Sequence, residues 1–110
     1  MATLFTKILQ REIPARIVYE DDHVFAFWDI NPQAPVHIVI VPRAEIPGLA
    51  TLPDEGDHFH ILNAAKKIAE AEGLTNGYRL VINQGEDAGQ TVPHLHAHLL
   101  GGRPMTWPPG

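Results

Sequence analysis

A run of six residues near the C-terminal end constrains the fold most, because polar and apolar side chains alternate in it without a break. The run is His94-Leu95-His96-Ala97-His98-Leu99. With the two-residue period of a β-strand, its three imidazoles share one face and its apolar side chains share the other. The imidazole face must meet water, a ligand or other polar groups. Three histidines in strict alternation favour a functional site over a solvated sheet face.

Other segments also predict strands. Strands are expected at residues 16–20, 24–28, 36–41, 78–83 and 94–100. The first two are rich in β-branched and aromatic residues and flank the turn signal Asp21-Asp22, which is typical of a β-hairpin. The third is almost uniformly apolar, which suits a central strand covered on both faces.

Helical periodicity occurs in two places. Apolar residues at helical spacing predict a main helix over 54–72, with Gly73 as its C-terminal stop. A short N-terminal helix is expected to begin near Leu4 and to end ahead of Pro14. About five strands and one main helix predict an α+β fold with an antiparallel sheet covered on one face.

Size and charge exclude several classes of protein. The chain has 110 residues, 45% hydrophobic and 19% charged, which predicts one packed domain over 1–110. It contains no apolar stretch of membrane-span length and no secretion-like leader, so we expect a cytoplasmic protein that does not engage membranes. A formal net charge of −5 argues against nonspecific binding to nucleic acid polymers, so an anionic ligand would need a local site.

Two chemistries fit the histidine run. Imidazoles at i and i+2, with a third from a neighbouring strand, could hold Zn²⁺ with one position open for water. Alternatively, one neutral imidazole attacks phosphorus or another electrophile while its neighbours set its tautomer and supply a proton. The chain has no cysteine, so any metal would need histidine and carboxylate ligands, and the spacing alone leaves the metal-bound and the metal-free chemistry about equally open. His37 interrupts the most apolar segment and needs a polar partner, which the histidine cluster can provide.

The loop that leads into the histidine run has the residue types of a phosphate cradle. Its glycines, Gly89 among them, allow backbone N–H groups to turn toward an anion. Hydrogen-bonding side chains are available from Asn83, Gln90 and Thr91. The acidic pair Glu86-Asp87 would repel a phosphate and is expected on the solvent side.

The run Pro93-His94-Leu95-His96-Ala97-His98-Leu99-Leu100 resembles the signature of the histidine triad superfamily. Other segments resemble its nucleotide-binding HINT branch. They are Glu12-Ile13-Pro14-Ala15, Phe27-Trp28-Asp29-Ile30-Asn31-Pro32-Gln33-Ala34-Pro35-Val36-His37, Asn83-Gln84-Gly85, Gly89-Gln90-Thr91-Val92, Gly101-Gly102-Arg103 and Trp107-Pro108-Pro109-Gly110. The resemblance covers nearly the whole chain and implies the HIT-like fold, a five-stranded antiparallel sheet with one main helix and a short N-terminal helix.

The resemblance also implies an activity. The expected enzyme is a metal-independent hydrolase of purine nucleoside 5′-phosphoramidates or aminoacyl-adenylates, such as conjugates of AMP and GMP. His96 would be the nucleophile that attacks the α-phosphorus and forms a nucleotidyl-histidine, which water then releases. His98 would lie nearest the leaving amine or the phosphate oxygens. His94 and His37 would form the relay that sets tautomers.

Substrate-binding residues follow from the same resemblance. The phosphate and leaving-group positions match Asn83, Gly89 and Thr91. Asp29 matches the carboxylate that accepts hydrogen bonds from the ribose hydroxyls, although capping of the following loop is an alternative role for it. The base pocket matches Ile13, Phe27, Trp28 and Ile30. Core packing is the alternative for Phe27 and Ile30.

The C-terminal tail, about 103–110, is implied to reach the active site of a partner subunit in a two-fold homodimer whose sheets join. Trp107 would then shape the specificity for the leaving group. Two residues depart from the pattern of many relatives. Thr91 stands where serine is common and keeps the hydroxyl, while Pro93 directly before the triad removes a backbone donor.

Three alternatives to the phosphoramidase remain open. The chain could be a nucleotide-binding adaptor without turnover, although its complete set of histidines argues for catalysis. It could cleave dinucleoside polyphosphates, as a sister branch does, although the Trp107-Pro108-Pro109-Gly110 ending favours the HINT branch. A zinc-dependent hydrolase is the third alternative, but the chain offers no obvious fourth metal ligand beside the triad, so no metal or other cofactor is expected. Metal analysis of the purified protein separates this alternative from the others.

Overall fold

The computed structural model describes residues 3–56 and 58–110. Helix α1 spans Leu4–Leu9 and helix α2 spans His58–Ala71. The strands are β1 Ile17–Glu20, β2 Val24–Trp28, β3 Val36–Pro42, β4 Tyr78–Val81 and β5 Ala97–Gly101, and Leu49–Thr51 and Glu86–Ala88 form short 3₁₀ turns. Within the described residues, no helix has the length and apolar character needed to cross a membrane.

The strands form one antiparallel sheet in the order β1-β2-β3-β5-β4. The predicted hairpin joins β1 and β2, and Asp21 builds its turn. Oδ1 of Asp21 accepts hydrogen bonds from the backbone N–H groups of His23 and Val24, at 2.7 and 2.8 Å. The predicted α+β class, with five antiparallel strands, one main helix and a short N-terminal helix, is confirmed.

Helix α2 covers one face of the sheet. Its apolar stripe, which includes Ile61, Ala65 and Ile68, packs on Ile38 and Ile40 of the central strand. These side chains are almost fully buried, and full burial of each large aliphatic group stabilises the fold by about 1.5–3 kcal/mol.

The second face is not left open, which corrects the expectation of a sheet covered on one face only. Phe5 and Ile8 of α1 pack there against Phe27, Val39 and Val41. Strand β3 is therefore buried on both faces, as its uniformly apolar sequence predicts. Because side chains alternate along a strand, His37 and His98 lie on this same α1 face.

The last strand begins at Ala97, three residues later than predicted, so His94 and His96 precede it. The register that pairs Ile40 with Ala97 would place Leu95 opposite Pro42, which has no N–H to donate to the ladder. The Leu95 N–H bonds instead to the carbonyl of Ile46, at 2.6 Å.

Two further boundaries differ from the prediction. Residues 54–56 are not helical, so the predicted helix over 54–72 corresponds to α2 at His58–Ala71, with residue 57 outside the described part. Strand β4 ends at Val81 rather than at residue 83. Residues 82 and 83 instead begin the loop that leads to the histidines.

Candidate active site

A cavity of about 380 Å³ opens between α1, the centre of the sheet and the loop that follows β4. Its apolar walls include Leu4, Phe5, Ile8, Ile13, Phe27, Val39 and Val92. Its polar groups come from Asp29, Asn83, Gly89, Thr91, His96 and His98. A concave, mostly apolar pocket with a few convergent polar groups is the usual form of a small-molecule site.

His96 presents an unprotonated nitrogen to this cavity. Its Nδ1 lies 2.7 Å from the carbonyl oxygen of His94, and a carbonyl can only accept, so Nδ1 carries the ring proton. In the neutral ring, Nε2 therefore holds the lone pair. Burial lowers the pKa of His96, although the hydrogen bond to the His94 carbonyl partly opposes it. The ring is consequently neutral at physiological pH.

His98 has the opposite arrangement. The backbone N–H of Gln33 donates to Nδ1 of His37 at 3.1 Å, so the proton of neutral His37 is on Nε2. That Nε2 lies 2.9 Å from Nδ1 of His98 and donates to it. The proton of neutral His98 is then on Nε2. The pKa of His98 is lowered, mainly by burial and then by His96 and His37.

Asp29 performs the predicted loop cap and also lines the cavity. Its Oδ1 accepts from the N–H of Asn31 at 2.8 Å. Its Oδ2 lies 3.4 Å from Nε2 of His37. Burial lowers the pKa of His37, and the charge of Asp29 opposes this effect. The carboxylate can therefore stabilise an added proton on the relay.

His94 does not line the cavity, although its ring lies on the α1 side together with that of His96, where both rings contact Phe5 edge-on. The polar groups that its ring meets are protein atoms inside the fold. The ring is 1% exposed, and its Nε2 bonds to the Pro42 carbonyl at 2.9 Å. Because His94 precedes β5, strand alternation does not direct its side chain. It contributes its backbone carbonyl to His96 instead of its ring.

The loop before the triad contributes Asn83, Gly89 and Thr91 to the cavity. Gly89 has a φ of 79°, in the left-handed region that glycine adopts without strain. Gln90 does not line this cavity, because its side chain holds the loop together. Its Oε1 accepts from the N–H of Gly85, and its Nε2 donates to the carbonyls of Pro47 and Val92. Glu86 and Asp87 are exposed, as expected.

Three of the four residues predicted for the base pocket line the cavity, and the fourth lies on the other face of the sheet. Ile13, Phe27 and Ile30 line the cavity, and Ile30 is 95% exposed at its rim. Trp28 packs on the opposite face, against the α2 core, because it follows Phe27 in the alternation of β2. The Arg16 guanidinium lies 4.9 Å from its ring centroid.

Trp107 lies outside the cavity and is 82% exposed. The tail that carries it is held along β4 by Arg79. The Arg79 guanidinium donates to the Thr106 carbonyl at 3.0 Å and lies 6.0 Å from the centroid of the Trp107 ring. The structure thus places the tail at the sheet edge and leaves this indole available.

Several residues of the site had no assigned role in the sequence analysis. Phe5 packs edge-on against the rings of His94 and His96, with centroid distances of 5.8 and 4.8 Å. Gln33 sets the His37 tautomer through its backbone, which no side-chain pattern reveals. Phe5 is one of the apolar residues at helical spacing that predict α1, but this spacing carries no information about its contact with the triad.

One group of donor atoms could hold a metal ion. Among the described residues, Asp29, His37 and His98 each offer one ligand atom, and these atoms all lie within 4.8 Å of one another. This set differs from the predicted ligands, because it contains one histidine of the run and not two at i and i+2, and a carboxylate in addition. Two of its nitrogens are already joined by the 2.9 Å hydrogen bond between His37 and His98.

The fold and the histidine cluster together define one class of protein. The HIT domain family model matches residues 10–105. The chain therefore belongs to the HIT family, and the resemblance stated from the triad is confirmed.

Individual relatives agree with this membership. An uncharacterized HIT-like protein of Synechocystis is 54% identical over 111 residues, covering 98% of this chain and 96% of the relative. A maize protein described as a 14 kDa zinc-binding protein is 52% identical, covering 98% and 88%. The crystal structure of a HIT family hydrolase from Legionella pneumophila matches with a TM-score of 0.92 and 51% identity, covering 99% of this chain and all of that one.

Proposed function

We propose that this chain hydrolyses purine nucleoside 5′-phosphoramidates or aminoacyl-adenylates without a metal, through a nucleotidyl-histidine intermediate on His96. The observation that carries the proposal is the 2.7 Å contact between His96 Nδ1 and the His94 carbonyl. It leaves a lone pair on Nε2 of a buried, neutral imidazole that lines a cavity with apolar walls and a few polar groups, as a nucleotide would require. The similarity to a HIT family hydrolase supports the hydrolase class.

The protonation pattern suits cleavage of a P–N bond. His96 Nε2 bonds to the α-phosphorus while the bond from phosphorus to the leaving nitrogen breaks. The His37–His98 pair first takes up one proton, which the neighbouring Asp29 carboxylate stabilises, and this proton passes from His98 Nε2 to the leaving nitrogen, so that both rings are neutral afterwards. Water then attacks phosphorus, returns a proton to the pair and releases the nucleoside monophosphate as the bond to His96 breaks.

The residues that line the cavity suggest one orientation for a bound nucleotide. Apolar side chains such as Ile13 and Phe27 can pack against a purine, and Asp29 can accept hydrogen bonds from the ribose hydroxyls. We assign the phosphate to Asn83, Gly89 and Thr91, which line the same cavity as His96 and His98. This orientation brings the α-phosphorus to His96.

We further propose that the protein acts as a homodimer in which the tail of one subunit approaches the site of the other. Apolar side chains are exposed at Phe59 and Leu62 of α2 and at Tyr78 of the edge strand β4. Trp107 lies beside the same edge and would read the leaving group. Sedimentation of the wild type and of Leu62→Glu tests this assembly, and an unchanged monomer in both would contradict it.

The decisive experiment is hydrolysis of an adenosine 5′-phosphoramidate by chelator-treated protein, followed as AMP release. We expect steady turnover in the wild type and none in His96→Ala, which should still bind AMP in calorimetry. AMP binding without turnover in the wild type would favour a nucleotide-binding adaptor. Turnover on dinucleoside polyphosphates alone would favour the activity of the sister branch.

Zinc binding is a second candidate function, supported by the three donor atoms of Asp29, His37 and His98 and by the described zinc binding of the maize relative. Two imidazoles and a carboxylate are donors that Zn²⁺ accepts, with a further position left for water. Metal analysis of the purified protein, and a Zn²⁺ titration of wild type against His37→Ala, test it. Activation of the chelated enzyme by Zn²⁺ would favour a zinc-dependent hydrolase.

A further inference from the structure

The hydroxyl of Thr3, at the start of α1, contacts a histidine of the triad. Thr3 Oγ1 lies 2.9 Å from Nδ1 of His94, although the two residues are 91 positions apart in the chain. The other ring nitrogen of His94, Nε2, bonds to the Pro42 carbonyl oxygen. Both nitrogens of a buried imidazole are therefore partnered, one of them by a residue with no role assigned so far.

The direction of each hydrogen bond follows from the available protons. A carbonyl oxygen only accepts, so Nε2 of neutral His94 carries the proton and Nδ1 holds a lone pair. The Thr3 hydroxyl must then donate to Nδ1. The nearby hydroxyl of Thr6 gives its own proton to Glu45 Oε1 at 2.7 Å, and this bond is the main cause that lowers the pKa of Glu45. The single hydroxyl proton of Thr3 is thus left for His94.

His94 in turn holds the nucleophile of the proposed reaction. Its carbonyl oxygen accepts from Nδ1 of His96. The N–H of Leu95 belongs to the same peptide unit and bonds to the carbonyl of Ile46, so the unit is held from both sides. Phe5, also in α1, contacts the His96 ring edge-on at 4.8 Å. The beginning of α1 therefore contacts both His94, whose carbonyl holds the nucleophile, and the ring of the nucleophile His96 itself.

We propose that Thr3 is a positioning residue whose hydroxyl holds His94 in its Nε2-protonated form and so keeps the His94 carbonyl against Nδ1 of His96. The inference rests on the proposed function, because it assigns Thr3 a role in presenting the nucleophile. Thr3 does not line the cavity, so it acts through His94 and not on the substrate.

Substitutions at Thr3 separate this role from helix capping, since Oγ1 also accepts from the Thr6 N–H at 3.3 Å. Thr3→Ser keeps both the donor and the cap. Thr3→Asp keeps a strong cap but offers only acceptor atoms to His94. Thr3→Val removes both. Lys7→Gly is the matched control, because it weakens α1 at an exposed position and leaves the hydroxyl in place.

Steady-state hydrolysis of an adenosine 5′-phosphoramidate is the first readout. We expect Thr3→Val and Thr3→Asp to lower kcat about 5- to 10-fold with KM near the wild-type value. Thr3→Ser should retain wild-type kcat, and Lys7→Gly should lower the melting temperature without lowering kcat. Wild-type kcat in Thr3→Val and Thr3→Asp, or an equal loss of kcat in Lys7→Gly, would overturn the inference.

The ¹⁵N chemical shifts of the histidine rings are the second readout. In the wild type we expect a proton on Nε2 of His94 and on Nδ1 of His96, and in Thr3→Asp a proton on Nδ1 of His94 with displaced signals of His96. A proton on Nδ1 of wild-type His94 would contradict the inference. Because this measurement needs no turnover, an inactive protein with the expected pattern would contradict the proposed function and support the role of Thr3.

Discussion

Nε2 of His37 lies 2.9 Å from Nδ1 of His98, on the neighbouring strand. Because His37 donates this hydrogen bond, the proton of neutral His98 is on its other nitrogen, Nε2. The contact depends on strand register, because β3 and β5 pair His37 with Leu100 and Val39 with His98. His37 is thereby one diagonal step from His98 on the same face, which long side chains can span. The buried histidine of the central strand thus has its polar partner in the triad.

This relationship predicts the effect of His37→Ala. Without a donor to its Nδ1, His98 can place its proton on either nitrogen, so its Nε2 is no longer always the donor toward the leaving group. We expect kcat to fall about 10- to 100-fold, with AMP affinity changed less than threefold. Single-turnover kinetics and calorimetry measure the two quantities. A kcat within twofold of wild type would show that the relay is dispensable.

The pH dependence of the nucleophile follows from its burial. Burial lowers the pKa of His96 below its ordinary 6.5, so the ring stays neutral as the pH falls through that value. We expect the acid limb of kcat/KM to lie below pH 6.5. In Phe5→Ala, which exposes the ring, the limb should move upward. An acid limb at or above 6.5 in the wild type would contradict the assignment.

The same shift has a consequence for stability. Between the lowered pKa of folded His96 and the ordinary 6.5 of the unfolded chain, the unfolded state binds more protons than the folded state. Stability should therefore decrease as the pH falls through this window. Urea titrations at several pH values measure the slope, and His96→Phe, which cannot titrate, should show a smaller one.

The two oxygens of Asp29 predict a selective defect for Asp29→Asn. The amide oxygen can still accept from the Asn31 N–H, so the loop cap remains, while the charge offered to the ribose is lost. We expect KM to rise about tenfold for a ribonucleoside 5′-phosphoramidate. The 2′,3′-dideoxy analogue is the control and should be nearly insensitive. An equal rise in KM for both substrates would show that Asp29 does not bind the ribose hydroxyls.

Zinc should act as an inhibitor if the metal-free mechanism holds. A cation bound by Asp29, His37 and His98 would occupy Nδ1 of His98 and replace the hydrogen bond from His37. We expect added Zn²⁺ to lower turnover of the chelated enzyme and a chelator to restore it. Zn²⁺ should bind more weakly to His37→Ala. Stimulation by Zn²⁺ would instead support the metal-dependent alternative.

Much of the fold could be predicted because the local signals agree with one another. The hairpin around Asp21, the central strand and the main helix each carry a strong pattern of apolar residues. The start of β5 could not be predicted, because it depends on the proline at position 42 of the strand opposite. Strand alternation also assigns Phe27 and Trp28 to different faces of the sheet. Only the packing of α1 determines that the candidate site lies on the face that carries Phe27.

Residue types and their short-range spacing were therefore sufficient for the architecture, the family and the histidines of the candidate site. The position of the ring proton on His37, His94, His96 and His98 could not be predicted from residue types, because backbone groups and distant side chains select it. It is set by a backbone N–H from Gln33, by the carbonyls of His94 and Pro42 and by the hydroxyl of Thr3. An imidazole has two nitrogens with one proton to share, and the partner that selects between them is supplied by tertiary packing.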